Sequence, residues 1–315
     1  MNRKAIIFGI NGTKLTVDER HILKTEKPWG IILFSRNIKN IFQLKFLIDD
    51  IKKSIKDKNY PILIDQEGGR VSRLSKIIDL SLFSQGHFGK LYKQEKKFFI
   101  HHYKVYIDKV CDILKKVGIN INTVPVLDVR RKNSHSVIGD RSFSTDPKIV
   151  SKIGNLCINL YEKNKIATVI KHIPGHGLAK CDSHYNLPVI KTKKTELIKK
   201  DFKPFSGCQS FFAITAHVIY SIYDPIYTAT HSKIVINDVI RKHIGFKGLL
   251  ISDDISMKAL KYGLKDNAIK ALDAGCNLIL HCNGNIKEVG KLVKILPTID
   301  KFTQKKTSHF YKFLG

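Results

Sequence analysis

Residues 167–184 read ATVIKHIPGHGLAKCDSH, and this stretch shows how the chain is built. It opens with a short apolar run typical of a buried strand, and polar residues begin where that run ends. Pro174, Gly175 and Gly177 then exclude a helix and predict a loop. The stretch therefore predicts a strand that carries lysine, histidine and aspartate side chains to a loop at its carboxyl end.

The same pattern, a short apolar run rich in β-branched residues and bounded by glycine, proline or charge, recurs along the chain. The predicted strands are 5–10, 30–34, 61–64, 122–127, 167–170, 211–216, 248–252 and 276–281. Segments with helical spacing lie at 41–55, 90–117, 147–164, 194–207, 232–243, 258–274 and 286–296. Alternating strands and helices pair in parallel through right-handed crossovers, so eight repeats favour a (β/α)8 barrel over an open doubly wound sheet. The tail from Lys301 fits either a packed final helix or a frayed end.

The organisation of the chain predicts one catalytic domain spanning residues 1–315, because no Gly/Ser-rich or low-complexity linker divides it. No apolar run approaches the ~20 residues needed to cross a bilayer. The short run at 5–10 ends in Asn11 and Gly12, which indicates a first strand instead of a signal peptide. The six cysteines show no Cys-x-x-Cys and lie largely in apolar segments, as in a reducing compartment. We therefore expect a cytoplasmic protein without a membrane span.

The formal net charge of +28 raises the question of a nucleic acid or an anionic surface as a partner. Only nine of the 55 basic residues are arginine, and the lysines are spread over most of the predicted helices. A nucleic-acid groove instead combines a basic stripe with interleaved aromatic side chains. The charge thus indicates a lysine-rich compositional bias, and we expect no specific nucleic-acid partner.

Polar residues follow five of the predicted strands, where the active sites of barrel enzymes lie. They are Asp65–Arg73, Asp128 with Gly139–Phe143, Lys171–His184, His217, and Asp253 with Asp254. Any one of these could be surface decoration, but their convergence on one face predicts a catalytic site.

Asp253 directly follows a predicted strand, so its carboxylate is expected at the barrel mouth, while Asp254 is expected to cap a helix beginning near Ser256. A carboxylate paired with a proton donor can act as the nucleophile in glycosyl transfer. Asp182 and His184 point the same way in an extended chain, so the carboxylate can orient the imidazole for proton transfer. Taken singly, each has a plainer interpretation, a structural ion pair for Asp253 and a surface loop pair for Asp182 with His184.

Other charged residues suit the recognition of sugar hydroxyls or an amide, provided that their burial is compensated by pairing. These residues are Asp65, Arg73, Arg141, Lys171 and His172. His172 and His176 have the spacing of a helical metal pair, but Pro174 and Gly175 between them break the helix that such a pair requires.

Six segments of the chain form a recognisable set of motifs: Gly30–Asn37, Asp65–Arg73, Gly139–Phe143, Lys171–Gly177, Asp182–His184 and Ser252–Met257. Together they resemble the motif set of glycoside hydrolase family 3, specifically the bacterial β-N-acetylglucosaminidases that recycle peptidoglycan. The resemblance runs in order from about residue 5 to residue 282.

This resemblance implies a single (β/α)8 barrel and a retaining mechanism. Asp253 is then the nucleophile, and His184, oriented by Asp182, is the acid/base. An imidazole with an ordinary pKa of ~6.5 can donate a proton and take one back near neutral pH. The residues implied to hold the N-acetylglucosamine are Asp65, Arg73, Arg141, Lys171 and His172.

The substrate implied by the resemblance is N-acetylglucosamine β-1,4-linked to anhydro-N-acetylmuramic acid, with or without its peptide. The family works in the cytoplasm without a metal or organic cofactor, and we expect a monomer. Three alternatives remain open: a metal-dependent hydrolase on the same barrel, a non-catalytic protein that binds an anionic polymer through its lysines, and an enzyme that uses phosphate in place of water as acceptor. The metal-dependent hydrolase would use His172, His176, His184, His217 and Asp253.

Overall fold

A computed structural model of the chain describes residues 2–131, 135–183 and 185–315. Eight parallel strands close into a barrel in the order β1-β10-β9-β7-β5-β4-β3-β2. Closure confirms the predicted (β/α)8 barrel and excludes the open doubly wound sheet. The barrel strands are β1 Lys4–Gly9, β2 Pro28–Leu33, β3 Ile62–Ile64, β4 Ile121–Asn122, β5 Ala167–Ile173, β7 Phe212–Thr215, β9 Leu249–Asp254 and β10 Leu278–His281. A separate pair of short strands, β6 Val189–Ile190 and β8 Ile219–Tyr220, lies outside the barrel.

The fourth strand is much shorter than the predicted 122–127, since β4 covers only Ile121–Asn122. Pro125 has no backbone N–H to donate to a neighbouring strand, so regular pairing stops before it. Beyond the proline, Val126 forms an isolated bridge with Lys171.

The fifth strand is longer than predicted, because β5 continues from Ile170 through Ile173. Lys171 and His172 were expected to begin the loop, but both are buried inside the strand. Carboxylates that follow β3 and β4 pair with these two side chains, as described below. The predicted loop begins at Pro174, and a Cβ at Gly177 would lie 1.9 Å from the Val129 carbonyl oxygen, which requires glycine there.

The helices surround the barrel. Their bounds are α1 Val17–Thr25, α2 Ile41–Ile55, α3 Gln85–Gln94, α4 Lys96–Val117, α5 Pro147–Lys163, α6 Lys194–Glu196, α7 Leu264–Ala274, α8 Ile286–Ile295 and α9 Lys301–Leu314, with π-helical turns at Leu197–Asp201 and Val235–His243. The segment 90–117 is two helices instead of one, because Glu95 adopts an extended conformation. The sequence reading missed α1, although Thr16 and Glu19 form a capping box at its start.

The described residues form two apolar cores, one between the barrel and the helices and one inside the barrel. The tail is a packed helix: Phe310 of α9 is fully buried and its ring lies 5.5 Å from that of Phe212. The indole N–H of Trp29 donates to the Thr307 hydroxyl at 2.9 Å. Helix α9 therefore closes the amino-terminal end of the barrel and leaves the opposite end for a site. Among the described residues, none of the helices combines the length and apolarity that crossing a membrane requires.

Candidate active site

A cleft of about 240 Å³ opens at the carboxyl ends of the barrel strands. The residues proposed from the sequence that line it are Asp65, Arg73, Arg141, Lys171, His172, Asp182 and Asp253. His184, the proposed acid/base, lies outside the described residues. Strand ends that are far apart in sequence thus bring these side chains to one cavity.

Asp65, at the end of β3, is the centre of one charge cluster in the cleft. Its carboxylate accepts from Lys171 Nζ at 2.5 Å, from Arg73 Nη2 at 2.7 Å and from the Thr123 hydroxyl at 2.7 Å. Burial alone would raise the pKa of Asp65, but Lys171 and Arg73 outweigh it and hold that pKa far below its usual range. The carboxylate is therefore ionised and held in one orientation toward the cleft.

Glu67 is a second buried carboxylate next to this cluster, and the sequence reading did not single it out. It pairs with both arms of the Arg141 guanidinium, each at 2.8 Å, and its Oε1 lies 2.6 Å from Lys171 Nζ. Burial opposes ionisation of Glu67, but Arg141 and Lys171 lower its pKa nonetheless. Lys171 thus bridges two carboxylates, and Arg141 is clamped in a bidentate geometry.

Asp128 contacts His172, the second polar residue at the end of β5, and the loop that follows this strand. Its Oδ2 lies 2.7 Å from His172 Nδ1, and its Oδ1 accepts from the backbone N–H of His176 at 2.6 Å. Burial raises the pKa of Asp128, but His172 and His176 more than offset this and lower it. Because an ionised carboxylate only accepts, His172 carries a proton on Nδ1 and presents Nε2 to the cleft.

His176 stands behind His172, with the ring centroids 5.5 Å apart. Its Nε2 lies 3.1 Å from the Ser183 hydroxyl. Burial and the neighbouring His172 lower the pKa of His176 to about 4, so its ring is neutral at pH 7. Within residues 2–131, 135–183 and 185–315, no three histidine, cysteine or acidic side chains are placed so that they could hold a metal ion.

Asp253 lies near the end of β9, across the cleft from Asp65. Its Oδ1 accepts from the backbone N–H of Asp254 at 2.8 Å. The expectation that Asp254 caps a helix near Ser256 is wrong, because α7 begins only at Leu264. Asp254 instead closes a turn by accepting from the Ser256 N–H at 3.1 Å and the Cys282 N–H at 3.3 Å. The residue after Asp253 is therefore tied to two different strand ends.

The loop after β5 places Asp182 on the cleft wall. The Asp182 carbonyl accepts from the N–H groups of Tyr185 and Asn186 at 3.0 and 2.9 Å. His184, the other member of the predicted pair, lies outside the described residues, so the orientation of His184 by Asp182 stays a prediction. The Ala259 N–H donates to the Ser183 carbonyl at 3.2 Å, which ties this loop to the one after β9.

Sequence reasoning placed Glu67 and Asp128 among the strand-end residues of the predicted site but gave neither of them a role, and it missed Thr123 altogether. A signal existed for the two acids, since Glu67 lies in the loop after the third strand and Asp128 follows the fourth predicted strand. Thr123 carried none, because a threonine at a strand end is ordinary in both sequence and structure.

In this eight-stranded parallel barrel, Asp253 lines the same cleft as the charged cluster of Asp65, Arg73 and Lys171 at the carboxyl ends of the strands, and such an arrangement is compatible with a glycosidase. The model of the family described as "Glycosyl hydrolase family 3 N terminal domain" matches residues 5–308, so the chain belongs to glycosyl hydrolase family 3 and is a glycoside hydrolase.

Individual relatives agree with this assignment. The chain is 33% identical over 285 residues to a β-hexosaminidase of Nitrosomonas eutropha, which covers 88% of this chain and 80% of the relative. It is 32% identical over 299 residues to a β-hexosaminidase of Idiomarina loihiensis, covering 94% of this chain and 88% of that one. The crystal structure of NagZ from Neisseria gonorrhoeae in complex with N-trifluoroacetyl-D-glucosamine superposes with a TM-score of 0.88 at 30% identity, over 98% of this chain and 90% of NagZ.

Proposed function

We propose that this chain is a retaining β-N-acetylglucosaminidase that removes a non-reducing terminal N-acetylglucosamine. The observation that carries the proposal is the placement of Asp253 across one cleft from the Asp65, Arg73 and Lys171 cluster. The names of the relatives support the same sugar class. In this cleft one carboxylate faces the reacting carbon while fixed charges hold the sugar.

Asp253 is the proposed nucleophile. Its Oδ1 is held by a backbone N–H, which leaves Oδ2 to attack the anomeric carbon while the glycosidic oxygen departs with a proton from His184. Water then attacks the glycosyl-aspartate and returns a proton to His184. Asp182 is proposed to orient His184, and this part of the proposal rests on the family resemblance.

The remaining proposed roles concern binding. Asp65 is available to accept hydrogen bonds from sugar hydroxyls, His172 Nε2 is available for a further hydrogen bond to the sugar, and Arg73 and Lys171 add positive charge beside them. Arg141 is held by Glu67, so its position is set before substrate arrives.

The most informative test is to trap the glycosyl-enzyme with a slow 2-fluoro substrate and to locate the label by mass spectrometry. Label on Asp253, with retention of anomeric configuration in the product of an aryl N-acetylglucosaminide, is the expected result. Asp253→Asn should lower turnover at least about 1,000-fold. Label on another residue, or near-normal turnover by Asp253→Asn, would overturn the nucleophile assignment. Product analysis in phosphate buffer separates hydrolysis from transfer to phosphate.

For the natural substrate we propose N-acetylglucosamine β-1,4-linked to anhydro-N-acetylmuramic acid, with or without peptide, salvaged in the cytoplasm during cell-wall recycling. We further propose a monomer consisting of one catalytic domain, residues 1–315. Turnover of the disaccharide and of its peptide form, compared with chitobiose, tests the substrate. A preference for chitobiose would argue against the recycling role.

A further inference from the structure

His217 is a fully buried histidine directly after β7 that no step of the proposed mechanism uses. Its Nε2 lies 3.0 Å from the carbonyl oxygen of Asp254, the residue that follows the proposed nucleophile. Its Nδ1 lies 2.7 Å from the Thr230 hydroxyl. His217 is not among the residues that line the cleft, and its contact with Asp254 connects it to the residue next to Asp253.

The two contacts define which nitrogen of His217 carries the proton. A carbonyl oxygen can only accept, so Nε2 bears the hydrogen and donates to Asp254. Burial lowers the pKa of His217 despite the opposing field of Asp253, so the ring is neutral and Nδ1 accepts from Thr230. Another acceptor near the Thr230 hydroxyl, the Ala216 carbonyl, is farther away at 3.3 Å.

Thr230 is held in turn by β7. Its hydroxyl oxygen lies 2.9 Å from that of Thr215, which can donate to it. Hydrogen bonds therefore run in one direction, from Thr215 through Thr230 and His217 to the carbonyl of Asp254. Chains of this kind reinforce each other in a dry interior.

Asp254 connects this series of hydrogen bonds to the proposed nucleophile, Asp253. Its carbonyl is held by His217, its carboxylate by the N–H groups of Ser256 and Cys282, and its own N–H donates to Asp253 Oδ1 at 2.8 Å. Fixing the backbone of Asp254 on both sides fixes the direction of that N–H. Among the described residues, Asp253 Oδ2 has no hydrogen-bond partner, so the orientation of Oδ1 determines where the free oxygen points.

We propose that His217 is a positioning residue for Asp253, acting through the Asp254 carbonyl to aim Oδ2 at the anomeric carbon. The inference rests on the proposed function, because it takes Asp253 as the nucleophile. A histidine that only fills space would tolerate an apolar replacement of similar size. A positioning histidine requires the donated hydrogen bond.

The test compares His217→Gln with His217→Leu. The glutamine amide can place an N–H near the former Nε2 and an oxygen near the Thr230 hydroxyl, whereas leucine can do neither. We expect kcat on an aryl N-acetylglucosaminide to fall about 100-fold in His217→Leu and only about fivefold in His217→Gln. KM and the inhibition constant of free N-acetylglucosamine should change less than about twofold in both, because the groups that hold the sugar are untouched.

Thr230 supplies an independent check that leaves the histidine in place. Thr230→Val removes the hydroxyl that fixes the tautomer and should lower kcat about tenfold, while Thr230→Ser keeps the hydroxyl and should stay within about twofold. The double variant His217→Leu with Thr230→Val should be no slower than His217→Leu, since both act through one chain. Circular dichroism and thermal melting show whether each variant is folded.

Equal kcat in folded His217→Gln and His217→Leu would overturn the inference, as would additive losses in the double variant. If His217→Leu does not fold, the Thr230→Val and Thr230→Ser pair decides alone. Absence of glycosidase activity in the wild-type chain, or label away from Asp253, contradicts the proposed function instead, so the two failures are distinguishable.

Discussion

At the scale of single residues, the cleft is defined by how buried charges compensate one another. Lys171 contacts both Asp65 and Glu67, and together with Arg73 and Arg141 it compensates the two carboxylates in the interior. Sequence reasoning identified Lys171 and Asp65 because they stand at strand ends. It gave Glu67 no role because nothing local marks which acid of a loop turns inward.

Asp128 offers a prediction at this scale. Asp128→Asn removes the charged acceptor that fixes the proton of His172 on Nδ1, so we expect kcat/KM to fall by up to about 100-fold in a folded protein. Steady-state kinetics on an aryl N-acetylglucosaminide measure the effect. Asp49→Asn, an exposed carboxylate on α2, is the matched control and should change nothing.

The Asp128 prediction also requires coupling. The double variant Asp128→Asn with His172→Ala should be no worse than His172→Ala, because Asp128 is expected to act through that imidazole. Independent, multiplying losses would show that Asp128 acts on the loop instead, through the His176 N–H.

At the scale of elements, the spacing of apolar residues predicted most of the strands and helices. The prediction failed where a tertiary contact or the conformation of one residue changed the bounds of an element. Helix α2 has the predicted bounds because Asn40 caps it and its apolar face is continuous. Segment 90–117 has the same periodicity, yet an extended Glu95 divides it. Strand β5 continues into polar residues because carboxylates that follow β3 and β4 pair with Lys171 and His172.

Helix α9 offers a prediction at this scale. Phe310 is fully buried against Phe212 and Trp29, so Phe310→Ala should destabilise the protein by about 3–5 kcal/mol. Urea unfolding measures the change. Phe302→Ala on the same helix is the control, because that ring is 43% exposed and should cost about 1 kcal/mol or less. Similar losses of stability in both variants would contradict the role of α9 in closing the amino-terminal end of the barrel.

At the scale of the whole molecule, stability should depend on pH through buried neutral histidines. Burial lowers the pKa values of His176 and His231 to about 4, while histidines of the unfolded chain titrate near ~6.5. Between these pH values the unfolded state binds more protons than the folded state. The contribution of the two histidines to the free energy of unfolding is therefore complete above pH ~6.5 and is lost as the pH falls toward 4.

We therefore expect the urea midpoint of unfolding to fall between pH 7 and pH 4.5. His231→Gln should flatten this dependence, since glutamine can still donate to the Asn267 carbonyl that His231 Nε2 contacts at 3.0 Å but does not titrate. His101→Gln, at an exposed position, should leave the slope unchanged. An unaltered slope in His231→Gln would show that this histidine is not responsible.

The sequence by itself determined the number and order of the barrel strands, their parallel closure and the end of the barrel that carries polar residues. These features follow from the local spacing of apolar residues and from the order in which strands and helices succeed one another. Both can be read directly from the sequence. Only the tertiary structure decided which charge meets which. Lys171 and Asp65 are 106 residues apart in the chain, and His217 reaches Asp254 across 37. Such pairings depend on strand register and burial, which no local pattern encodes.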